Sequence, residues 1–276
     1  MIENGGQESL REKTTDSSKE IEVFPGVMER RYFLGSSITS LAAVIALGTT
    51  GATLGAQKQL SQAAAAVGAD KLAWDDFLKE AVPVAQKLVA DPAFSVDEYL
   101  YRIGSMATRL KEIPDTQLFP YTAIDQRVFF APSFRGSPFF IIQWRMEPGA
   151  VLPAHNHPNA SVCTLGYEGE VRLRNFEIVG EAPEYDLKKT FHIRETHNEM
   201  MMRGRINTLS SSRDNIHFFQ VGKERARGID ITTLHGKMAQ FSFLDIAEKP
   251  LDADRRIFEA AWNERGRKSM SSTNKS

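Results

Sequence analysis

The spacing of hydrophobic residues separates a helical part of the chain from a longer part in which short strands alternate with turns. Between residues 70 and 91, apolar side chains recur at near-helical spacing, and an Asp-Pro pair ends the segment. Ser95 begins a second such segment, and Glu98 three residues later completes a capping-box pattern. We therefore predict a helical N-terminal arm over residues 57–114.

Short runs rich in Val, Ile and Phe follow this arm and are separated by Gly, Pro, Asn and Asp. No run is followed by a helix of crossover length, so parallel strand–helix–strand units are not expected. The pattern predicts a mainly β fold over residues 115–248, a double-sheet barrel or jelly roll of short strands. The predicted strands are residues 126–130, 139–146, 161–167, 170–179, 189–193, 215–221, 228–234 and 239–244.

The C-terminal segment, residues 249–276, carries a further helical pattern. One side of a helix over residues 252–265 would present Ile257, Ala260, Ala261 and Trp262. We predict a short C-terminal helix there, followed by a disordered tail.

The composition is that of an ordinary globular protein, with 42% hydrophobic and 25% charged residues in a chain of 276. The formal net charge of −1 gives no indication of nucleic-acid binding. The single cysteine, Cys163, excludes an internal disulfide and a zinc site made of several thiolates. We interpret Cys163 as a small buried hydrophobic residue.

Residues 1–56 have the pattern of a disordered leader and a targeting segment. The paired Arg30 and Arg31 are followed by Tyr-Phe-Leu, and residues 38–56 form a weakly apolar, uncharged run. This arrangement resembles a twin-arginine signal peptide, which implies recognition by the twin-arginine export machinery and a periplasmic location. Two alternatives stay open: a membrane anchor formed by residues 38–56, and translation that starts at Met28.

Two histidines carry the clearest chemical signal. His155 and His157 are two residues apart, so on a strand both imidazoles point to the same face. Two such ligands on one inward face can hold a metal ion together. The plainer alternative is a pair of polar residues at a solvent-facing strand end.

The residues around this pair resemble the first motif of the cupin superfamily. That motif's spacing is matched by Gly149, His155, His157 and Gly169. Val162 occupies the position of the motif's glutamate, and a weaker match to the second motif contains His217. The resemblance implies a cupin-type barrel in which His155, His157 and His217 bind one metal ion.

Replacement of the glutamate by valine changes the expected chemistry. Three neutral imidazoles leave a divalent ion its full charge and open positions, which suits an anionic thiolate together with dioxygen. The site is similar to that of the three-histidine thiol dioxygenases, and two helices before the barrel extend the resemblance to cysteine dioxygenase. The resemblance implies Fe(II) as the cofactor, and a small thiol and dioxygen as substrates that give a sulfinate.

The same resemblance gives roles to two further residues. Arg127 precedes the strand that leads to the histidine pair, where the family places an arginine that binds the substrate carboxylate. His235 lies on a late strand, where the family carries a histidine beside the substrate or dioxygen. The plainer alternatives are a solvated arginine and a core histidine. Cysteine dioxygenase has a cysteine that is cross-linked to a tyrosine at the position of Val162. Cys163 lies one place later and is expected to point to the opposite face of the strand, so no such cross-link is assigned.

Two other functions stay open. One is a different cupin enzyme that uses Mn, Zn or Ni for another oxidation, isomerisation or lyase reaction. The other is a non-catalytic cupin that binds a small ligand. His192 and His197 lie in a polar segment, and we interpret them as surface or loop residues.

Overall fold

The computed structural model describes residues 71–114, 121–123, 126–181, 183–236 and 242–263. The predicted leader and export signal, and the predicted tail beyond residue 263, lie outside these ranges. Of the helices in the described ranges, none has the length and apolar character needed to cross a membrane.

Two helices begin the described part of the chain, as the sequence predicts. Helix α1 spans Trp74–Ala90, and helix α2 spans Val96–Thr108. The Ser95 hydroxyl caps α2 by accepting a hydrogen bond from the backbone N–H of Glu98 at 3.4 Å. This contact confirms the helix start that the capping pattern predicts.

Strands make up most of the remaining described ranges and form two six-stranded antiparallel sheets. In chain order they are β1 Thr122–Ala123, β2 Val128–Arg135, β3 Phe139–Met146, β4 Val151–Asn156, β5 Ala160–Glu168, β6 Val171–Ile178, β7 Thr190–Met201, β8 Ile206–Ser210, β9 Ile216–Val221, β10 Ala226–Leu234, β11 Leu244–Ile246 and β12 Ile257–Trp262. The first sheet has the order β1-β2-β3-β10-β5-β8, and the second has the order β11-β12-β7-β6-β9-β4. The predicted mainly β, double-sheet barrel of the jelly-roll type is confirmed.

The first sheet packs one face against the two helices. Strand alternation sends Ile229 and Ile231 of β10 and Cys163 of β5 to this face, where they join the buried residues of both helices. The hydroxyls of Tyr99 in α2 and Thr233 in β10 form a buried hydrogen bond of 2.5 Å across the contact. The predicted burial of Cys163, on the face opposite to that of its neighbour Val162, is thus confirmed.

The other face of the first sheet packs against the second sheet. Their shared core contains Trp144 and Met146 from the first sheet and Leu173 and Phe219 from the second. The Trp144 and Phe219 rings meet with their centroids 5.6 Å apart. We call the space between these two faces the barrel interior.

The second sheet curls so that its two ends approach each other. Phe243, just before β11, pairs with His155 of β4, and the backbone N–H of Asn156 donates to the carbonyl oxygen of Ser242 at 3.1 Å. Ile216 alternates with His217 along β9, so a separate apolar cluster lies on the face opposite to the barrel interior. The buried members of that cluster are Ala154, Phe176, Ile193, Ile216, Leu244, Phe258, Ala260 and Trp262.

The predicted C-terminal helix is wrong. Residues Ile257–Trp262 form β12, which pairs with β7 and β11. Phe258, Ala260 and Trp262 alternate into the apolar cluster, so burial with a period of two decides the local structure. Pairing with two strands also satisfies backbone groups that a short helix would leave open at its ends.

Candidate metal centre

Three histidines meet at one end of the barrel interior. His155 of β4 and His217 of β9 lie opposite each other in the antiparallel pair. His157 follows the last residue of β4, and its backbone N–H donates to the backbone carbonyl oxygen (3.0 Å) and the side-chain oxygen (2.8 Å) of Asn215. The turn before β9 therefore fixes His157 beside the paired histidines.

The three rings bring their Nε2 atoms together. The Nε2 of His217 lies 2.9 Å from that of His155 and 2.9 Å from that of His157. Each residue offers a ligand nitrogen within 4.8 Å of those of the other two. Metal–nitrogen bonds of about 2.0–2.1 Å at right angles separate neighbouring ligand nitrogens by about 2.9 Å. Both short contacts therefore match adjacent ligand positions around one ion.

Burial keeps the three rings neutral. His217 is fully buried, His155 is nearly so, and His157 is half-buried. Desolvation lowers the pKa of His155 to about 4 and holds the pKa values of His157 and His217 well below the usual value. A neutral imidazole has one proton and one lone pair, which is the form that binds a metal ion.

The arrangement of lone pairs on the three Nε2 atoms indicates that a cation fits between the rings. The Nδ1–H of His155 donates to the carbonyl oxygen of Pro153 at 2.9 Å, so its lone pair is on Nε2 and faces His217. The Nε2 of His217 has either one proton or one lone pair, so it cannot form good hydrogen bonds to both neighbours. A metal ion would accept all three lone pairs, and the donor set fits that role.

Aromatic rings cover the cluster, and no carboxylate belongs to it. Within the described ranges, the group of potential ligands here consists of the three histidines. Val162, where the resembling motif has its glutamate, is fully buried. The Phe219 ring centroid lies 4.6 Å from that of His217, and the Phe243 centroid lies 5.5 Å from that of His155. The site is therefore neutral, and His155 and His217 are shielded from water, whereas His157 keeps some accessible surface.

A layer of polar side chains extends from His217 around the barrel interior. Asn175 is opposite His217 in the β6–β9 pair, and its Nδ2 donates to Oδ1 of Asn207 in β8 at 3.0 Å. Asn207 is opposite Thr164, and Thr164 is opposite Asp230. The Thr164 hydroxyl donates to Oδ1 of Asp230 at 2.6 Å. The strand registers thus place Asp230 in the same layer of the barrel as His217.

Asp230 lies on a wall of the interior that keeps accessible surface. Its side chain is half-buried, as are Phe130 and Ile142 of the neighbouring strands. Desolvation raises the pKa of the Asp230 carboxyl to about 6, although the hydrogen bond from Thr164 and the nearby Trp144 indole act in the opposite direction. Accessible surface therefore remains on a mostly apolar part of the interior wall, which also contains one acid.

Neither Arg127 nor His235 belongs to the histidine cluster. Arg127 is exposed, and its guanidinium donates to the carbonyl oxygen of Pro148 at 3.5 Å, in the turn before β4. The histidines lie at the other end of that strand. The backbone N–H of His235 donates to Asn159, near the histidines, and its Nε2 lies 2.8 Å from the Ser161 hydroxyl. The catalytic roles that the resemblance gives to Arg127 and His235 stay predictions.

The remaining two histidines lie on β7. His192 is exposed, as the sequence indicates. His197 is half-buried, and its Nε2 lies 2.9 Å from a carboxylate oxygen of Glu199. Both are strand residues rather than loop residues, and neither contributes to the three-histidine group.

Sequence reasoning singled out neither Asn175 nor Asp230. Asp230 leaves a signal, because it is an acid between Ile229 and Ile231 in an otherwise apolar run. Asn175 leaves none, because its importance follows from its pairing with His217, a residue far away in the sequence.

Comparison with known proteins finds similarity at the level of structure. No protein-family model matches this chain, and neither does any curated protein. KdgF from a Halomonas species is 9% identical over 46% of this chain and 96% of that one, with a TM-score of 0.35. The cupin domain of Schizosaccharomyces pombe Cnp3 is 16% identical over 41% and 69%, with a TM-score of 0.30. A protein with a double-stranded β-helix domain from Klebsiella pneumoniae is 14% identical over 50% and 93%, with a TM-score of 0.35.

The chain's own strand order and histidine geometry therefore define its class. It is a jelly-roll barrel whose interior carries a three-histidine group able to hold a metal ion.

Proposed function

We propose that this protein is a non-haem iron dioxygenase that oxidises a small thiol to a sulfinate. The observation that carries the proposal is a group of three neutral imidazoles that, within the described ranges, includes no carboxylate. Held by His155, His157 and His217, Fe(II) would supply the redox chemistry that joins both atoms of dioxygen to the thiol sulfur. One thiolate and one dioxygen give one sulfinate, so no further reductant is needed.

The charge of the site favours an anionic substrate atom. Three imidazoles add no negative charge, so a divalent ion held by them keeps its attraction for a thiolate. A carboxylate ligand would reduce that attraction. The replacement of the motif's glutamate by Val162 therefore supports a thiolate rather than a neutral donor.

The walls of the site favour a small substrate that reacts away from water. Phe219 and Phe243 pack against the rings of His217 and His155 and shield these two rings from solvent. Phe130 and Ile142 keep accessible surface on the opposite wall, where an apolar carbon chain can lie. A short thiol lying along this wall would direct its sulfur towards the histidines.

Oxygen consumption by the iron-loaded full chain tests the proposal. Cysteine, cysteamine and 3-mercaptopropionate would be supplied in turn, with an oxygen electrode for uptake and mass spectrometry for the product. We expect at least one of these thiols to consume oxygen in equal amount and to gain the mass of two oxygen atoms. Iron-loaded protein that consumes no oxygen with any of the three would refute the proposal.

Matched histidine variants connect any activity to the site. His157→Ala should lose both bound iron and oxygen uptake, whereas His192→Ala, an exposed histidine on β7, should keep both. Elemental analysis of protein from its native compartment separates the alternatives. Bound Mn, Zn or Ni without thiol oxidation would indicate another metal-dependent reaction, and absence of any metal would indicate a non-catalytic ligand-binding protein.

We also propose that the protein is exported to the periplasm by the twin-arginine pathway. The support is the Arg30-Arg31 pair followed by the uncharged run of residues 38–56. Replacing both arginines with lysine should retain the protein in the cytoplasm, as measured by cell fractionation. Unchanged export of that variant would contradict the proposal, and a membrane-bound mature chain would support an anchor instead.

A further inference from the structure

Two buried polar atoms beside the histidine cluster have complementary chemistry. The Nδ1 atom of His217 and the Oδ1 atom of Asn175 are both buried, and neither forms a hydrogen bond within the described part of the chain. The two residues are fully buried and lie opposite each other in the β6–β9 pair, on the face that lines the barrel interior. A buried polar atom without a partner destabilises the folded state, so such a pair calls for an explanation.

The metal site supplies that explanation. If the Nε2 of His217 gives its lone pair to an ion, the single proton of the neutral ring must be on Nδ1. That N–H then needs an acceptor. In His155, the corresponding Nδ1–H donates to the carbonyl oxygen of Pro153 at 2.9 Å. For His217, the side-chain oxygen of Asn175 is the acceptor that the register places alongside.

Neighbouring residues fix which atom of the Asn175 amide is available. Its Nδ2 donates to Oδ1 of Asn207 at 3.0 Å and lies 3.5 Å from the carbonyl oxygen of Thr208. These contacts direct the N–H₂ group towards β8 and leave Oδ1 for the other side. His197 is opposite Asn175 on β7, but its Nε2 lies beside Glu199. The Asn175 oxygen is therefore left for His217.

We infer that Asn175 is a positioning residue that accepts the Nδ1–H of His217, directly or through one water molecule. Asn207 holds the Asn175 amide in the required orientation. This inference rests on the proposed metal site, but not on the thiol reaction. Outer hydrogen-bond partners of this kind set the tautomer and basicity of a ligating histidine, and their loss weakens metal binding about 10–100-fold.

Binding of Co(II) to the metal-free full chain tests the inference. Affinity would be measured by competition with a chelator, and the visible absorption of Co(II) would report the ligand geometry. Asn175→Leu should weaken binding about 10–100-fold and alter the Co(II) spectrum. Asn175→Asp, which keeps an acceptor oxygen but loses the donor to Asn207, should bind Co(II) more tightly than Asn175→Leu. Thermal unfolding without metal measures any general loss of stability separately.

Thr208→Val is the matched control. Thr208 also has a buried hydroxyl without a described partner, but strand alternation directs it to the face opposite to Asn207. This variant should bind Co(II) like the wild type. If the leucine variant does not fold, Asn175→Ala makes the same comparison with a smaller side chain.

The outcomes separate this inference from the proposed function. Folded Asn175→Leu or Asn175→Ala protein that binds Co(II) with wild-type affinity overturns the inference. Wild-type protein that binds no Co(II) overturns both the inference and the metal site. Wild-type protein that binds Co(II), but oxidises no thiol when loaded with iron, overturns only the proposed reaction.

Discussion

The two faces of the first sheet differ in polarity, although the same strands form both. On the helix-covered face, β10 presents Ile229 and Ile231, which are fully buried among apolar residues. On the interior face the same strand presents Asp230 and Thr232, and Asp230 pairs with Thr164. Alternation of apolar and polar residues ordinarily indicates that the polar face meets solvent. Here the polar face lines the interior of the barrel, opposite the histidines.

We infer that the helix-covered face serves mainly the stability of the fold, and that the interior face serves metal binding. Changes under the helices should alter the free energy of unfolding and leave metal binding intact. Changes in the polar layer should alter metal binding or pH dependence. The four predictions that follow test this division, and they begin with the largest effect.

Removal of a ligand should have the largest effect on function. His217→Ala should reduce bound metal from about one ion per chain to nearly none, because two imidazoles remain. Ile231→Ala, under the helices, should lower the free energy of unfolding by about 2–5 kcal/mol and leave the metal content unchanged. Elemental analysis and urea unfolding check the pair. Loss of metal from the Ile231 variant would contradict the division between the faces.

Two glycines test how tightly each region is packed. A Cβ on Gly228 would overlap the Trp144 ring and the backbone oxygen of Leu165, so Gly228→Ala should cost about 3 kcal/mol. A Cβ on Gly104 in α2 would lie 2.6 Å from Cδ1 of Ile206, the flexible end of a side chain. Gly104→Ala also gains about 1 kcal/mol of helix propensity, so its net effect should be near zero. Thermal unfolding measures both, and equal losses would show that the helix contact is as rigid as the interior.

Replacement of the interior acid should change how stability depends on pH. The folded-state pKa of Asp230 is about 6, above the usual value of 3.8, so its contribution to stability is present below pH 3.8 and is lost as the pH rises through about 6. Asp230→Asn removes this loss. The variant should therefore exceed the wild type by about 2 kcal/mol at pH 7.5, and the difference should largely disappear near pH 3.5. Urea unfolding at both pH values checks this, and a difference independent of pH would contradict it.

The smallest effect is expected at the helix cap. Ser95→Ala removes the hydroxyl that accepts from Glu98, and should lower the free energy of unfolding by about 1 kcal/mol. Metal affinity should stay at the wild-type value because the cap belongs to the helical arm. Chemical unfolding together with Co(II) titration measures both quantities. A change in metal affinity would show that the helices influence the site.

Local patterns predicted the elements whose burial is one-sided. The helices and the capping by Ser95 agree with prediction because one face of each helix is apolar. Strand β3 agrees for another reason: it is a short run in which apolar residues point to both faces. The pattern does not indicate β8, Ile206–Ser210, since Asn207, Thr208 and Ser210 interrupt its apolar residues although the whole strand is buried. Only the surrounding sheet and helices make such a segment a strand.

The site was predictable only in part, for a similar reason. The two-residue spacing of His155 and His157 and the separate His217 indicated the cluster, and the structure brings all three together. The sequence could not show that a register irregularity between Leu152 and His155 aligns the strand with His217. Nor could it show that Asn175 stands opposite His217, because register is a property of the assembled sheet.

The strand that carries His155 is secured along both edges, by β9 on one side and by the Ser242–Phe243 segment on the other. Its geometry is therefore preorganised by folding rather than imposed by coordination. A preorganised group of three histidines does not select strongly among late first-row ions, because three imidazoles bind most of them. The metal bound at the proposed site should then follow the supply of ions where the chain folds, and cells starved of one ion should yield folded protein that carries another.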